Sequence, residues 1–123
     1  MADGEVVVTG SVGDRVTVEA AIRLSRQCAL AALAAADATV GLDRVVRVVK
    51  VVGYVSSAPG FTAQADVVNG ASDLLFEVFG EAGQHARTSI GVAVLPLNAP
   101  VEIELTVQIA GEASSATTAG DTP

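Results

Sequence analysis

The chain has 123 residues, a formal net charge of −7 and a hydrophobic fraction of 50%. This length fits a single domain, and the acidic charge opposes binding to nucleic acid or to an anionic membrane surface, because both are recognised through fields of Lys and Arg. The single cysteine, Cys28, excludes an internal disulfide and a cluster of thiolate metal ligands. The sequence shows no secretory signal and no apolar run long enough to span a bilayer, so we expect a cytoplasmic protein.

The N-terminal part of the sequence predicts a strand, a turn and a long helix. The β-rich run from Gly4 to Gly10 is short and closed by glycine, and a turn follows over 11–15. From Thr17 to about Val40, small and apolar residues recur at intervals of three and four, which predicts an amphipathic helix. Cys28 is interpreted as a core residue, since free cysteine is among the most buried residue types. The predicted buried stripe consists of Ala21, Leu24, Cys28, Ala31 and Ala35.

The segment from Asp43 to Val55 has two possible interpretations. Its basic residues fall at every third position, as on a helix face, but seven of its thirteen residues are valine. Because the branched Val side chain favours pleated backbone, we predict a strand. Its apolar and polar residues do not alternate strictly, which is typical of a central strand that is covered on both faces.

A second helix and two further strands are predicted in the C-terminal half. The helix begins at Gln64 and is ended by Gly80. Ala86 to Leu95 predict a buried strand, 96–100 a turn, and Val101 to Ala110 a strand in which apolar and polar residues alternate. The apolar face of the helix consists of Val67, Ala71, Leu74, Leu75 and Val78.

The predicted order of elements is β-α-β-α-β-β. Such an order gives an α+β fold in which two helices lie on one face of a mixed sheet, and the last two strands are expected to pair as a hairpin. Residues 1–110 form the predicted domain, whereas the small and polar residues 111–123 predict a structureless tail. Because much of the apolar material is Val and Ala, we expect a partner subunit to cover what one chain leaves exposed.

Few sequence patterns indicate chemistry. No glycine-rich phosphate loop is present, and the single histidine, His85, excludes two-histidine metal spacings and weakens any Ser/His/Asp proposal. No cofactor and no metal site are therefore predicted. The acidic residues are scattered apart from Glu102 and Glu104, which share the polar side of the last strand.

Arg87 is unusual because it places a permanent charge in an apolar strand. It alternates with small residues such as Ser89, which would leave space for a ligand around the guanidinium. Two interpretations remain open: Arg87 binds an anion, or it forms a modest surface ion pair with Glu102 or Glu104 across the predicted hairpin.

A signature in the C-terminal part of the sequence indicates a family. An Ala-Arg pair opens one strand, Leu-Pro ends it, and the strand VEIE follows, within the run HARTSIGVAVLPLNAPVEIEL. This run strongly resembles the signature of the RidA/YjgF family of reactive enamine/imine deaminases, also named the endoribonuclease L-PSP family. Residues 48–61 and 67–83 resemble the middle of the family, and the similarity covers 4–109.

The resemblance implies a chorismate-mutase-like α+β subunit in a homotrimer, with a ligand cleft at each subunit interface. It implies that Arg87 binds the substrate carboxylate through a bidentate guanidinium fork, and that Glu102 positions or activates the water that attacks the imine carbon. Asn69 matches an asparagine of the family's second helix, although it is equally well interpreted as a polar first-turn residue. Ser89 replaces a cysteine of many deaminating members, so it can bind a carboxylate but offers no thiolate.

The resemblance also implies a departure at the N-terminus. Two family strands, with a serine-glycine motif and a tyrosine of the cleft, would precede the segment that matches Gly4 to Gly10, so we expect a shortened form that lacks part of the cleft wall. The leading hypothesis is hydrolytic deamination of 2-aminoacrylate-type imines to 2-keto acids and ammonia. The alternatives are a non-catalytic trimer that binds small carboxylates and an endoribonuclease, which the acidic charge and the absence of Trp oppose.

Overall fold

Residues 8–111 are described by the computed structural model. Most of the predicted first strand and of the predicted tail lie outside the described residues, and 8–10 do not form a strand. No helix within 8–111 is both long and apolar enough to cross a membrane. The helices are α1 (Val18–Val40) and α2 (Gln64–Phe79), and the strands are β1 (Val45–Ser56), β2 (Ala86–Val92) and β3 (Val101–Ile109).

Helix α1 confirms the helix predicted for this segment, and both of its ends are capped. The Thr17 hydroxyl accepts a hydrogen bond from the backbone N–H of Ala20 at 3.1 Å, as an N-cap residue does. Gly41 follows the last turn with a φ of 89°, a conformation that glycine adopts without strain. The length of the helix thus follows from its sequence.

The buried face of α1 differs from the predicted stripe. Ala31 and Ala35 are exposed and Cys28 is only half-buried. The buried residues recur at every fourth position and include Ser25. Ser25 can be buried because its Oγ accepts a hydrogen bond from the backbone N–H of Ala71 in α2 at 3.0 Å. Ser25 was not part of the predicted stripe. The buried face consists of Ala21, Ser25, Ala29 and Leu33.

The three strands form a mixed sheet in the order β2-β1-β3. Strand β1 is central, as predicted, and pairs parallel with β2 and antiparallel with β3. The predicted hairpin is therefore wrong, because β1 lies between the last two strands. Strand β2 ends at Val92 rather than at Leu95, and the connection to β3 contains a turn over Pro96–Asn98 with Leu97 at φ 60° and Asn98 at φ 58°.

Both helices pack on one face of the sheet, which confirms the predicted α+β layer arrangement. On that face Val51, Gly53 and Val55 of β1 are buried, and a Cβ at Gly53 would overlap the side chain of Val68 in α2. The apolar face of α2 matches the prediction except for Val78, which is 44% exposed.

The opposite face of the sheet is exposed in the described part of the subunit. It includes Tyr54, Ile90, Glu102 and Glu104, and we call it the open face. Ile90 is 40% exposed and both glutamates are exposed. The valine-rich sequence of β1 predicts a strand that is buried on both faces, but within one subunit only the face towards the helices is buried.

Candidate functional site

Arg87 lies on the edge strand β2 and points to the side of the sheet that carries the helices. It is level with the buried Val51 of β1 in the parallel ladder. Its Nη1 donates hydrogen bonds to Asn69 Oδ1 at 2.7 Å and to Ser72 Oγ at 3.3 Å, and both acceptors belong to α2. The structure therefore brings together Arg87 and Asn69, two of the predicted binding residues.

Asn69 and Ser72 share one side of α2 because they are three residues apart. Asn69 is the sixth residue of the helix, so its interpretation as a first-turn residue is wrong. Ser72 was not predicted as a site residue. The spacing of three from Asn69 was the one signal in the sequence that could have indicated it.

His85 extends this cluster of side chains. Its Nδ1 lies 2.6 Å from the carbonyl oxygen of Gly83, and its Nε2 lies 2.9 Å from Ser72 Oγ. Because a carbonyl oxygen can only accept, Nδ1 carries the proton in the neutral ring and Nε2 keeps its lone pair. From the sequence, His85 served only to exclude two-histidine metal spacings and to weaken a Ser/His/Asp proposal, and its place beside Arg87 was not predicted.

These side chains line an open cleft of about 450 Å³. Phe76 contributes an apolar wall and is 51% exposed. The cleft thus combines a permanent positive charge, a hydroxyl group paired with an imidazole, and an aromatic surface. A small anion with an apolar part fits this combination. The lining consists of Ser72, Phe76, Gln84, His85 and Arg87.

Ser89 lies two residues beyond Arg87 on the same side of β2 and level with Gly53. Its Oγ is the one buried side-chain polar atom among residues 8–111 that has no hydrogen-bond partner. An unsatisfied buried hydroxyl costs about 1–3 kcal/mol. Ser89 does not line the cleft, so this predicted binding residue lies beside the cleft rather than in it.

Glu102 lies on the open face, away from Arg87. It is level with Tyr54 of β1, and β1 separates it from β2. Because neighbouring strands are about 4.8 Å apart, the two residues of one subunit are at least about 10 Å apart. The interpretation of Arg87 as the ion-pair partner of Glu102 or Glu104 is therefore wrong, and Glu102 does not face Arg87 across a hairpin.

Glu104 has a partner on the open face. Tyr54 Oη donates a hydrogen bond to Glu104 Oε1 at 3.0 Å. This hydrogen bond raises the pKa of Tyr54, and desolvation and the charge of Glu102 act in the same direction. The open face therefore holds two carboxylates beside a phenol that stays protonated.

Cys28 belongs to α1, faces the start of β3 and is half-buried rather than part of the core. Its Sγ is 3.9 Å from the carbonyl oxygen of Val101. Burial raises the pKa of the Cys28 thiol, and the negative charge of Glu102 raises it further. A thiol with a raised pKa is a poor nucleophile, so Cys28 is not a candidate catalytic residue.

Comparisons with known proteins agree with this fold. A family model described as "YjgF/chorismate mutase-like, putative endoribonuclease" matches residues 1–109. The chain is 47% identical over 104 residues to protein TCP17 of Trypanosoma cruzi, and the match covers 83% of this chain and 65% of that protein. The chain thus spans just under two thirds of the length of this curated relative.

Two solved structures have the same architecture. A protein of unknown function from Agrobacterium tumefaciens, Atu1372, superposes with a TM-score of 0.83 at 45% identity, over 89% of this chain and 71% of that one. A protein from Shewanella oneidensis MR-1, described as a "putative endoribonuclease", gives a TM-score of 0.83 at 29% identity, over 89% and 73% of the two chains. With the signature around Arg87, the two helices on a mixed sheet and the match over 1–109, the chain belongs to the YjgF/chorismate mutase-like family.

Proposed function

We propose that this chain is the subunit of a cytoplasmic hydrolytic deaminase, which converts enamine/imine intermediates of the 2-aminoacrylate type into 2-keto acids and ammonia. The observation that carries the proposal is the guanidinium of Arg87, held in an open cleft. Asn69 and Ser72 both bind Nη1, so the N–H groups of Nε and Nη2 can bind a carboxylate in bidentate geometry. Imino and keto acids carry such a carboxylate next to the reacting carbon.

In this proposal the acid that positions the water comes from a second copy of the chain. Glu102 lies on the open face, whereas a general base must be within hydrogen-bond reach of the attacking water. A homotrimer, which the family resemblance implies, would bring the open face of one subunit towards the Arg87 cleft of the next. Each site then takes Arg87 from one subunit and Glu102 from its neighbour.

We expect the purified chain to be a trimer at micromolar concentration, because burial between subunits stabilises the apolar residues of the open face. Light scattering should give about three times the monomer mass of 12.3 kDa. The variant Ile90→Glu should lower this mass, whereas Val78→Glu, at an exposed position of α2, should not. A monomeric wild-type chain would contradict a site between subunits.

We expect Arg87→Lys to weaken binding of 2-oxobutyrate about tenfold, because lysine keeps the charge but loses one of the two charge-assisted hydrogen bonds of the fork. Isothermal titration calorimetry measures the affinity. Arg23→Lys, an exposed position on α1, is the matched control and should bind as the wild type does. Equal affinity of Arg87→Lys and wild type for 2-oxobutyrate would refute bidentate binding of the carboxylate by Arg87.

A non-catalytic carboxylate-binding protein is the second candidate function. It is favoured by the location of Glu102 on the other side of the sheet from Arg87, because one subunit then offers a binding group without that acid. Ammonia release from 2-aminoacrylate generated in situ separates the two functions. Endoribonuclease activity, which the family description names, has less support because a net charge of −7 repels phosphate groups.

A further inference from the structure

Two neutral oxygen atoms hold the guanidinium of Arg87 in its cleft. Its Nη1 donates to the amide oxygen of Asn69 at 2.7 Å and to the hydroxyl oxygen of Ser72 at 3.3 Å. No acidic residue within 8–111 forms an ion pair with Arg87, and none of them lines the cleft. The positive charge is therefore fixed in position, but the described part of its own subunit does not neutralise it.

Arg26 of α1 shows the other way in which this chain holds an exposed arginine. Its Nη1 and Nη2 both donate to the carboxylate of Glu77, each at 3.0 Å. Such a bidentate ion pair occupies the guanidinium and compensates its charge within the subunit. Arg87 keeps both its charge and one free side of its fork, which is the condition for binding an external carboxylate.

The directions of the hydrogen bonds around Arg87 are fixed. A guanidinium can only donate, so Asn69 presents Oδ1 and Ser72 presents a lone pair to Nη1. His85 keeps Ser72 in this orientation, because its Nδ1 donates to the carbonyl oxygen of Gly83 at 2.6 Å and its Nε2 accepts the Ser72 hydroxyl proton at 2.9 Å. Acceptors thus surround Nη1, and the Nε and Nη2 side of the fork stays free.

We propose that Asn69 is a positioning residue and not a substrate ligand. Its neutral amide oxygen fixes the fork of Arg87 and leaves the charge of the guanidinium available to the substrate carboxylate. A carboxylate bound to Nε and Nη2 lies on the side away from Nη1, and therefore away from Asn69. Because the long side chain is ordered in advance, ligand binding does not include the entropy cost of ordering it. The inference rests on the proposed function and assigns one further residue of the same site.

The variant Asn69→Asp tests whether the neutrality of this acceptor matters. Aspartate has nearly the same shape, but its carboxylate would form an ion pair with Arg87 and compensate the charge, as Glu77 does for Arg26. We expect the calorimetric Kd for 2-oxobutyrate to rise about tenfold, and a thermal melt checks that the variant is folded. Val78→Glu adds the same charge at an exposed position on the opposite side of α2 and should leave the Kd within about twofold. An unchanged Kd in Asn69→Asp would overturn the proposal.

A double-mutant cycle separates positioning from direct contact with the ligand. In the wild-type background Asn69→Ala frees the guanidinium, so the Kd for 2-oxobutyrate should rise about fivefold. In the Arg87→Lys background the group that Asn69 positions is already gone, and the same change should alter the Kd by less than about twofold. Alanine favours helix formation, so both variants should fold. Equal weakening in the two backgrounds would mean that Asn69 touches the ligand, and would also overturn the proposal.

The outcomes distinguish the role of Asn69 from the proposed function. Wild-type affinity in Asn69→Asp, or equal loss in both backgrounds of the cycle, refutes the positioning role and leaves carboxylate binding by Arg87 intact. A wild-type chain that binds 2-oxobutyrate but releases no ammonia from 2-aminoacrylate refutes the deaminase and supports the positioning role in a binding protein if the cycle gives the expected coupling. A wild-type chain that does not bind 2-oxobutyrate refutes both.

Discussion

An alanine at Gly70 is expected to destabilise the fold by about 3 kcal/mol, because α1 and α2 meet there in very close contact. A Cβ at Gly70 would overlap the carbonyl oxygen of Ile22 in α1. This oxygen belongs to a helix backbone and cannot rotate away, so the helices must separate. Separation would also lengthen the buried hydrogen bond from the Ala71 N–H to Ser25 Oγ, which adds about 1 kcal/mol to the cost of overpacking.

Urea unfolding at one fixed protein concentration measures this loss as a lower midpoint. Gly111→Ala is the matched control, because a Cβ at Gly111 would have no atom within 4 Å, and its free energy of unfolding should change by less than about 0.5 kcal/mol. If Gly70→Ala unfolds at the wild-type midpoint, the close packing of the two helices is wrong.

The helices and the three described strands could be predicted from local sequence patterns. The valines of β1 outweighed the helix-like spacing of its basic residues. The alternation along β3 was regular enough to give its first residue, its last residue to within one position, and its apolar side. The buried face of α1 could not be predicted, because Ser25 is buried only when the Ala71 N–H of α2 is there to pair with it. Such a partner is distant in sequence and leaves no periodic signal.

The order of the strands depends on which strands pair with the two edges of β1. This cannot be predicted from the order of the strands along the sequence. The connection between β2 and β3 is short enough for a hairpin, so pairing between them was the simplest expectation. The twelve-residue strand β1 instead offers a ladder on both edges, and α2 supplies the long connection that a parallel β1–β2 pair requires. Because of the wrong hairpin, Glu102 was predicted to lie beside β2, whereas it lies beside Tyr54 of β1.

The candidate site was predicted in part. The family signature indicated Arg87, the resemblance of the second helix indicated Asn69, and in the structure a hydrogen bond of 2.7 Å joins the two side chains. Ser72 and His85 could not be recognised because hydroxyl and imidazole groups are common, and their relation appears only when α2 packs beside β2. Alternation along β3 showed that Glu102 lies on the polar side of its strand. It could not show that Arg87 lies on the opposite face of the sheet.

Replacing Glu102 with glutamine is expected to lower turnover of 2-aminoacrylate by about 10²–10⁴-fold and to leave 2-oxobutyrate affinity nearly unchanged. Glutamine keeps the shape of the side chain but cannot accept a proton from the attacking water. Glu104→Gln is the matched control on the same face of β3, where the amide oxygen can still accept the Tyr54 hydrogen bond. Full turnover in Glu102→Gln would reduce Glu102 to a solvated charge.

Mixed oligomers test whether Glu102 acts on the Arg87 of a neighbouring subunit. Arg87→Ala and Glu102→Gln chains should each be inactive alone, because every site in either homotrimer lacks one of the two groups. In randomly mixed trimers of equal parts, about one quarter of the sites combine an intact Arg87 with an intact Glu102 of the next subunit, so about a quarter of wild-type turnover should return. A site within one subunit can never regain both groups by mixing. If wild-type trimers are active and the mixture is not, Glu102 does not act across the interface.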